Sequence, residues 1–349
     1  MNKTSTLLDK IRDNKASWED YAKILTLDEE SMDSVFELAQ EIKTQNLGQT
    51  LKIYTPGAKF PAYSVTGEKC ALSCEHCNEK YLRGMKSATE PSELKEKLIN
   101  LSKEGGVGAL ISGGCTTEGF VPLKDFSGTL SEIKKETDLI INTHTGLLNE
   151  ETAQKLSDAG VDIVSFDVNM DPEIIHQIYH LEKDLEDYEK AIEILKANNL
   201  NIVPHVCIGL YYGELHKELE SLKFIKDSRI NPSLIVFIAL IPPNNSEKSF
   251  KTPNPLDIAK IIAIARFAFP SVEISLGCMR PRRKIKMKVE KLAFNAGITR
   301  IEIPSKKTLD WIRKSYPNTE FKFFSACCAI PQKFEERAKS SKAKIKKYI

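Results

Sequence analysis

Three closely spaced cysteines are the residues best placed to do chemistry. Cys70, Cys74 and Cys77, here termed the cysteine triplet, follow an apolar run, AYSVTG, that is typical of a strand. Three thiolates on one loop can bind three irons of a 4Fe–4S cluster and leave the fourth iron open. A zinc site is the other interpretation, but structural zinc usually takes four ligands, and His76 is poorly placed as the fourth. The spacing therefore favours an iron–sulfur cluster with one open iron.

The other cysteines form a second set of candidate metal ligands. Eight cysteines in 349 residues are too few for a disulfide scaffold, and their clustering indicates metal or catalytic chemistry. A second, auxiliary cluster is one role for them. Its expected ligands lie at strand ends and near the C-terminus: Cys115, Cys278, Cys327 and Cys328. Cys207 is a rival ligand or a small buried strand residue. Adjacent Cys327 and Cys328 point apart if the chain there is extended, and then only one of them binds metal.

Eight apolar runs, separated by amphipathic segments, must position these residues. They lie at 62–66, 107–112, 139–143, 163–168, 202–208, 234–241, 272–276 and 299–303. Apolar strands alternating with helices predict an α/β fold, a (β/α)8 barrel of the TIM type, with a doubly wound open sheet as the alternative. We expect an N-terminal helical extension at 1–50, the barrel at 51–315, and a C-terminal segment at 316–349 that caps the barrel and ends in a basic tail.

The composition restricts the partners and the location of the protein. Charged residues make up 28% of the chain and the net charge is +2, which is too balanced for bulk nucleic-acid binding. No apolar stretch approaches the ~18 residues of a membrane span, and the polar N-terminus lacks the apolar core of a signal peptide. We therefore expect a cytoplasmic protein that binds neither nucleic acid nor membranes.

Four stretches, in order along the chain, resemble the radical SAM superfamily. They are the cysteine triplet after the first strand, SGGC at 112–115, SFDVN at 165–169 and HVCIGLYYGE at 205–214. The resemblance implies that S-adenosylmethionine (SAM) binds the open iron and is cleaved to a 5′-deoxyadenosyl radical, which abstracts hydrogen. It also implies a set of SAM contacts: His76, Ser112, Gly113, Gly114, Asp167, Asn169 and Gly209.

Further stretches are similar to the biotin-synthase-related proteins that act as paired subunits of a split lipoyl synthase. FPAYSVTGEKCALSCEHC, LISGGCTTEGFVPL, INTHTGL and SLGCMRPR carry this likeness, over residues 50–330. It implies a sulfurtransferase that acts on a protein-bound octanoyl chain, with the auxiliary cluster as sulfur donor. The implied partners are a second radical SAM subunit, an acidic octanoylated lipoyl-carrier domain and an electron donor such as ferredoxin. The chain departs from single-chain lipoyl synthases, which carry an N-terminal C-x4-C-x5-C, because no cysteine precedes Cys70.

Three residues and one basic run have two interpretations each. His144 and His205 either line the site cavity or are core histidines with satisfied hydrogen bonds. Arg280, two residues after Cys278, is expected to face the SAM carboxylate or the cluster. The basic run at 280–288 either steers an acidic carrier domain to the barrel or forms the solvated start of a helix.

Two other functions are compatible with the sequence. One is a biotin-synthase-like or methylornithine-synthase-like enzyme that acts on a free small molecule. An isomerase of this kind needs no auxiliary cluster, so an iron content of about four per chain would favour it over a sulfurtransferase. The other is a non-catalytic iron–sulfur protein for electron transfer, which SAM cleavage would exclude.

Overall fold

A curled parallel sheet of eleven strands is the centre of the computed structural model, which describes residues 3–243 and 249–341. Its strands are β1 (Thr50–Tyr54), β2 (Ala62–Ser64), β3 (Lys86–Ser87), β4 (Gly108–Ser112), β5 (Ile140–His144), β6 (Ile163–Asp167), β7 (Ile202–Ile208), β8 (Leu234–Ala239), β9 (Glu273–Leu276), β10 (Arg300–Glu302) and β11 (Glu320–Phe324). Their order is β11-β1-β10-β9-β8-β7-β6-β5-β4-β2-β3, and every neighbouring pair is parallel. All eight predicted strands are present as neighbours in chain order, which confirms the TIM-type α/β expectation in the form of a half-barrel.

Three strands were not predicted. β1 and β11 extend the sheet beyond β10, and β3 adds a short strand beside β2. β11 lies in the segment that was expected to cap the barrel. Its sequence, EFKFF, alternates between charged and aromatic residues, and most of its side chains retain some exposure. It therefore lacks the continuous apolar run that marks a strand buried on both faces.

Helices cover the outer face of the sheet, except for the short last helix, which belongs to the chain inside the barrel. They are α1 (Lys3–Arg12), α2 (Trp18–Leu25), α3 (Met32–Leu47), α4 (Pro91–Lys103), α5 (Ser127–Glu136), α6 (Glu150–Asp158), α7 (Leu185–Ala197), α8 (Glu218–Asp227), α9 (Pro255–Ala268), α10 (Lys286–Asn295), α11 (Lys306–Ser315) and α12 (Glu335–Ala338). The first three lie in the stretch expected to form the N-terminal extension. α2 and α3 pack against α9, which is consequently buried on almost every side. Among the described helices, none has the length and apolar character needed to cross a membrane.

Alternate residues of each strand face opposite sides of the sheet. Ile141 and Val164 pack beneath the helices, whereas their neighbours Ile140 and Ile163 belong to a separate core inside the barrel. These inner residues begin their strands. The inner positions become polar toward the carboxyl ends, as at His144. The lumen is therefore apolar where the strands begin and carries chemically active side chains where they end, as in other parallel barrels.

The chain after β11 turns back and fills the lumen. Its small and apolar side chains complete the inner core: Ala326, Cys328, Ala329, Ile330, Phe334 and Ala338. Farther along, Arg337 donates a hydrogen bond to the backbone carbonyl of Asp138, which lies just before β5. The segment predicted to cap the barrel thus lies inside it and extends toward its amino end. Part of the predicted basic tail, residues 342–349, lies outside the described residues.

A balanced set of four charged side chains joins this segment to the sheet. Arg300 of β10 is fully buried and contacts Glu273 of β9 and, at 2.9 Å, Glu335. Lys52 of β1 contacts the same two carboxylates, at 2.6 and 2.8 Å. Tyr54 donates a hydrogen bond to Glu335 at 2.8 Å and stacks against the Arg300 guanidinium. Two positive charges therefore meet two negative charges, which offsets the cost of burying them.

A second pair of buried cations lies between the N-terminal helices and the barrel. Arg266 of α9 donates hydrogen bonds to four backbone carbonyls. Lys43 of α3 is buried, and its ammonium lies 5.4 Å from the centre of the Phe294 ring. Burial, and to a smaller extent Arg266, lowers the pKa of Lys43 to about 8. The charged form of Lys43 therefore destabilises the folded state relative to the unfolded chain.

We predict that Lys43→Met raises the free energy of unfolding at pH 7 by up to about 3 kcal/mol, since each pKa unit corresponds to about 1.4 kcal/mol. Between about pH 8 and 10.5 the unfolded parent binds more protons than the folded parent. The parent therefore gains stability relative to the variant as the pH rises through this window.

Urea unfolding followed by circular dichroism, below and above this pH window, measures the difference. Lys103→Met, at an exposed position of α4, is the matched control and should change neither the stability nor its pH dependence. If the difference in free energy of unfolding between Lys43→Met and the parent stays constant across this pH window, the lowered pKa of Lys43 is not its cause.

Candidate active site

The cysteine triplet lies on the loop after β2 and is fixed by backbone hydrogen bonds. The amides of Cys77 and Asn78 both donate to the carbonyl of Cys74, at 3.0 and 2.9 Å, and close a tight turn. The amide of Glu75 donates at 2.9 Å to the last carbonyl of a π-helix, Ile174–Ile178, which follows β6. Burial raises the pKa of the Cys74 and Cys77 thiols. Metal binding at this loop therefore has to displace thiol protons.

The loop after β4 approaches the cysteine triplet closely. The amide of Gly114 donates to the Thr66 hydroxyl at 2.7 Å, and the amide of Cys115 donates to the sulfur of Cys70 at 3.3 Å. A Cβ on Gly114 would lie 2.1 Å from the carbonyl oxygen of Lys69, so only glycine fits without a backbone shift. Burial, followed by the Cys70 thiol, raises the pKa of Cys115 to about 12. Cys115 thus lies beside the triplet and apart from the other cysteines predicted to bind the auxiliary cluster.

A cavity of ≈ 100 Å³ opens beside the triplet at the carboxyl ends of β6, β7 and β8. His76, Asp167 and Asn169, three of the predicted SAM contacts, line it. The Nδ1 atom of His76 and the Nδ2 atom of Asn169 are buried without a hydrogen-bond partner among the described residues. Burial lowers the pKa of His76 to about 4, so its ring is neutral at pH 7. Unpartnered buried polar atoms of this kind indicate a polar ligand.

The remaining predicted SAM contacts lie at the carboxyl ends of β4 and β7. Ser112 ends β4, and its hydroxyl lies 3.5 Å from the carbonyl of His144; Gly113 follows it directly. Gly209 follows β7 with φ = +73° and donates its amide to the Glu218 carboxylate at 2.8 Å. The Gly209 amide is therefore engaged within the protein, and its role here is to turn the chain.

His144, Asp167 and His205 lie side by side on the inner face of β5, β6 and β7. His144 Nδ1 is 3.8 Å from Asp167 Oδ2, and the two histidine rings are 5.1 Å apart. Nδ1 of His205 donates to the Val203 carbonyl at 3.0 Å, which leaves Nε2 as an acceptor. Burial and then His144 lower the pKa of His205 to about 4. Enclosure opposes ionisation of Asp167, but His144 and the other nearby histidines lower its pKa overall. Asp167 thus connects both histidines to the cavity.

A second cysteine group, Cys278, Cys327 and Cys328, lies at the carboxyl ends of β9 and β10. The sulfurs of Cys327 and Cys328 and a carboxylate oxygen of Glu302 all lie within 4.8 Å of one another. Glu302, followed by burial, raises the pKa of the Cys278 thiol, which therefore faces the same carboxylate. The amide of Ile330 donates to the Cys327 carbonyl at 3.3 Å, so the chain turns here. This turn brings both adjacent thiols to one site, where an extended chain would separate them.

Arg280 holds the loop that carries Cys278. Its buried guanidinium donates to the Glu290 carboxylate at 2.6 Å and to the backbone carbonyl of Glu302 at 2.8 Å. It also contacts the carbonyl of Gly277. These contacts direct the side chain toward α10 and β10, and not toward SAM or the cluster as expected from the sequence. In this structure Arg280 is a positioning residue.

Tyr81, which was not predicted from the sequence, lies near thiols of both groups. It lines the cavity together with Cys207. Burial, and then the thiols of Cys207, Cys77 and Cys278, raise the pKa of its hydroxyl. Cys207 therefore belongs to the cavity wall and not to the second cysteine group. The only signal in the sequence was the position of Tyr81, four residues after the triplet.

These side chains fit the groups that the resemblance implies. The triplet offers three thiolates on one loop, and unpartnered polar atoms face the adjoining cavity. The second cysteine group offers two more thiols within 4.8 Å of a carboxylate oxygen, and the Cys278 thiol lies near that carboxylate. Soft thiolate ligands suit iron–sulfur clusters, and a polar cavity beside them suits an amino-acid-like ligand.

We predict that Gly114→Ala lowers the iron content of anaerobically reconstituted protein toward that of Cys74→Ala, because the new Cβ displaces the loop backbone at Lys69. Gly128→Ala is the matched control, since its Cβ meets no atom within 4 Å. Iron and sulfide assays measure the outcome, and circular dichroism tests the fold. Iron content equal to that of the parent in Gly114→Ala would show that the close approach is not required.

Comparisons with known proteins agree with this site. Two biotin synthases are 24% identical: that of Clostridioides difficile (strain 630), over 82% of this chain and 87% of the relative, and that of Pelobacter propionicus, over 60% and 64%. Two solved structures are similar in fold. The FeFe-hydrogenase maturase HydG from Carboxydothermus hydrogenoformans matches with a TM-score of 0.69 at 14% identity, over 95% of this chain and 81% of that chain. Methylornithine synthase (PylB) matches with a TM-score of 0.60 at 17% identity, over 85% of each chain. At these identities the two structures show the fold alone. The family model described as Radical SAM superfamily matches residues 64–225, which include the cysteine triplet, the Gly-Gly turn and Asp167. Over residues 64–225 the chain is therefore similar to the radical SAM superfamily, and this similarity implies a 4Fe–4S cluster and SAM as cofactors.

Proposed function

We propose that this chain is a radical SAM sulfurtransferase that adds sulfur to a protein-bound octanoyl chain, as one subunit of a lipoyl synthase. The observation that carries the proposal is the second cysteine group at the same end of the barrel as the triplet. Hydrogen abstraction alone requires only the triplet. An additional site with three thiols supports an auxiliary iron–sulfur cluster, and sulfur insertion needs such a source of sulfide. The similarity to biotin synthases supports this class of reaction.

The chain's own residues have distinct roles in this proposal. When bound, the triplet's cluster and SAM supply a 5′-deoxyadenosyl radical that removes hydrogen from an unactivated carbon. His76 and Asn169 offer polar atoms to SAM, and Asp167 accepts from its hydroxyl groups. Tyr81, near thiols of both groups, shapes the space where the substrate chain meets both. The apolar lumen beneath them, filled by the chain after β11, excludes water from the radical.

A basic rim supports an acidic carrier as the bearer of the octanoyl chain. Arg282, Arg283 and Lys284 are exposed on the loop that follows Cys278 and Arg280. Two large apolar side chains are also exposed here, Met287 (38%) and Ile303 (41%). Ile303 directly follows Glu302, so this patch adjoins the second cysteine group. A second radical SAM subunit and an electron donor such as ferredoxin complete the proposed system.

The experiment that tests the proposal is a product analysis. The reduced, reconstituted protein is incubated anaerobically with SAM and an octanoyl-lysine peptide, with and without a candidate partner subunit. We predict a peptide mass increase corresponding to added sulfur. Cys278→Ala removes one thiol of the second cysteine group and leaves the triplet intact. This variant should still cleave SAM but yield little sulfurated peptide.

Two outcomes would contradict the proposal. One is sulfur addition that is undiminished when Cys278, Cys327 and Cys328 are all replaced. The other is SAM cleavage with an iron content of about four per chain and no sulfur product with any partner, which would favour an isomerase acting on a free small molecule.

We predict that neutralising Arg282, Arg283 and Lys284 with glutamine slows turnover of an octanoylated acidic carrier domain by roughly tenfold, the lower end of electrostatic steering effects. A short octanoyl-lysine peptide should be affected far less. The loss should diminish as salt rises, because charges are screened over ~10 Å at ~0.1 M ionic strength.

The control for this prediction also uses glutamine and replaces three exposed lysines in the last turns of outer helices. They are Lys103, Lys135 and Lys314. It removes the same charge from the opposite end of the barrel and should leave turnover of both substrates unchanged. Equal losses on carrier and peptide in the rim variant would assign the rim to another role.

A further inference from the structure

We infer that Glu302 is the fourth ligand, an oxygen ligand, of the auxiliary cluster bound by Cys278, Cys327 and Cys328. The inference rests on the proposed function, because it assumes that the second cysteine group binds a cluster. It adds a residue that the cysteine pattern of the sequence does not reveal.

The position of Glu302 supports a ligand role. It is the last residue of β10 and lies on the same inner face as Arg300, two residues earlier. One of its carboxylate oxygens lies within 4.8 Å of the sulfurs of both Cys327 and Cys328, and the carboxylate also faces the Cys278 thiol. The amide of Cys328 donates to Oε2 at 3.3 Å and orients the carboxylate toward the sulfurs. Three donor groups therefore meet within 4.8 Å of one another, and Cys278, on a third segment of the chain, lies near the same carboxylate.

The charges around Glu302 also support a ligand role. Glu302 is 3% exposed, and no Lys or Arg side chain of the described residues donates a hydrogen bond to its carboxylate. Arg300, on the same face, is already balanced by Glu273 and Glu335. Arg280 is paired with Glu290 and reaches only the backbone carbonyl of Glu302. A buried carboxylate without a cation is normally bound to a metal or kept neutral, and three thiols beside it favour the metal.

The other thiols are not available as the fourth ligand. Cys115 contacts the sulfur of Cys70 through its amide and lies with the triplet. Cys207 lines the cavity on β7, with Tyr81 in the same wall. Glu302 is the remaining metal-binding side chain that the described residues place within reach of the second cysteine group.

The experiment uses the full chain with Cys70, Cys74 and Cys77 replaced by alanine, so that all remaining cluster iron reports on the second site. This parent, its Glu302→Gln and Glu302→Cys derivatives and a Cys278→Ala derivative are reconstituted anaerobically with iron and sulfide. Iron, sulfide and zinc contents and the rate of iron loss to a chelator are measured. Glu218→Gln, which removes a different buried carboxylate at the same end of the barrel, is the matched control.

Direct ligation is read by spectroscopy. Protein labelled with 13C in the glutamate carboxylates should show a carbon hyperfine coupling in the pulsed EPR spectrum of the reduced cluster. Glu302→Gln should abolish this coupling and accelerate iron loss by roughly tenfold or more, because even changes outside the ligand set cost about 10–100-fold in metal affinity. Glu302→Cys should abolish the coupling yet retain the cluster, since a thiolate replaces the carboxylate.

Opposite results overturn the inference in distinguishable ways. If the parent binds iron and sulfide, and Glu302→Gln keeps the coupling and the parent's rate of iron loss, Glu302 is not a ligand although the auxiliary cluster exists. If the parent binds zinc alone, or neither iron nor sulfide, the auxiliary cluster is absent and the proposed function fails as well. Equal rates of iron loss from Glu302→Gln and Glu218→Gln would show that the substitution at Glu302 acts by destabilising the protein and not by removing a ligand.

Discussion

The guanidinium of Arg300 lies in the lumen with no exposed surface and joins β9, β10 and the chain after β11. It contacts Glu273 on β9, Glu335 in the C-terminal segment, and the carbonyls of Cys328 and Ile330. Removing one partner from a buried ion pair of this kind typically costs about 3–5 kcal/mol, because the other charge is left unpaired. The contact to Cys328 means that the same interaction that fills the lumen also sets the position of the second cysteine group.

The cysteine triplet depends on a different constraint, the close approach of backbone to backbone. Gly114 lies so near Lys69 that no side chain fits between them, and the amide of Cys115 then reaches the Cys70 sulfur. One site is therefore built by buried charge and the other by the absence of a side chain. Because all strands are parallel, both sites end at the same rim, where Tyr81 lies near thiols of both.

The sequence predicts what depends on residue type and local pattern. Strands buried on both faces appear as continuous apolar runs, so all eight barrel strands were predicted, and the triplet was recognised from its spacing. β11 was missed because charges interrupt its pattern. The sequence also does not reveal which side chains meet across the lumen. Cys115 lies with the triplet, Arg280 turns toward Glu290, and Glu302 approaches the adjacent cysteines only because β10 and the returning chain share the interior.

The pairing of β1 has a consequence for the order in which the two thiol sites form during synthesis. β1 pairs with β10 and β11, so that Lys52 lies opposite Arg300. Bringing together segments so distant in the sequence costs more chain entropy than closing a short loop. The loop of the triplet, in contrast, contacts the β4 loop and the π-helix, which are translated soon after it. The triplet and the two segments that contact its loop are thus all synthesised by residue 178, whereas the second cysteine group has its thiols together only after residue 328. The two groups of thiols consequently differ in the length of chain that must be made before each can assemble.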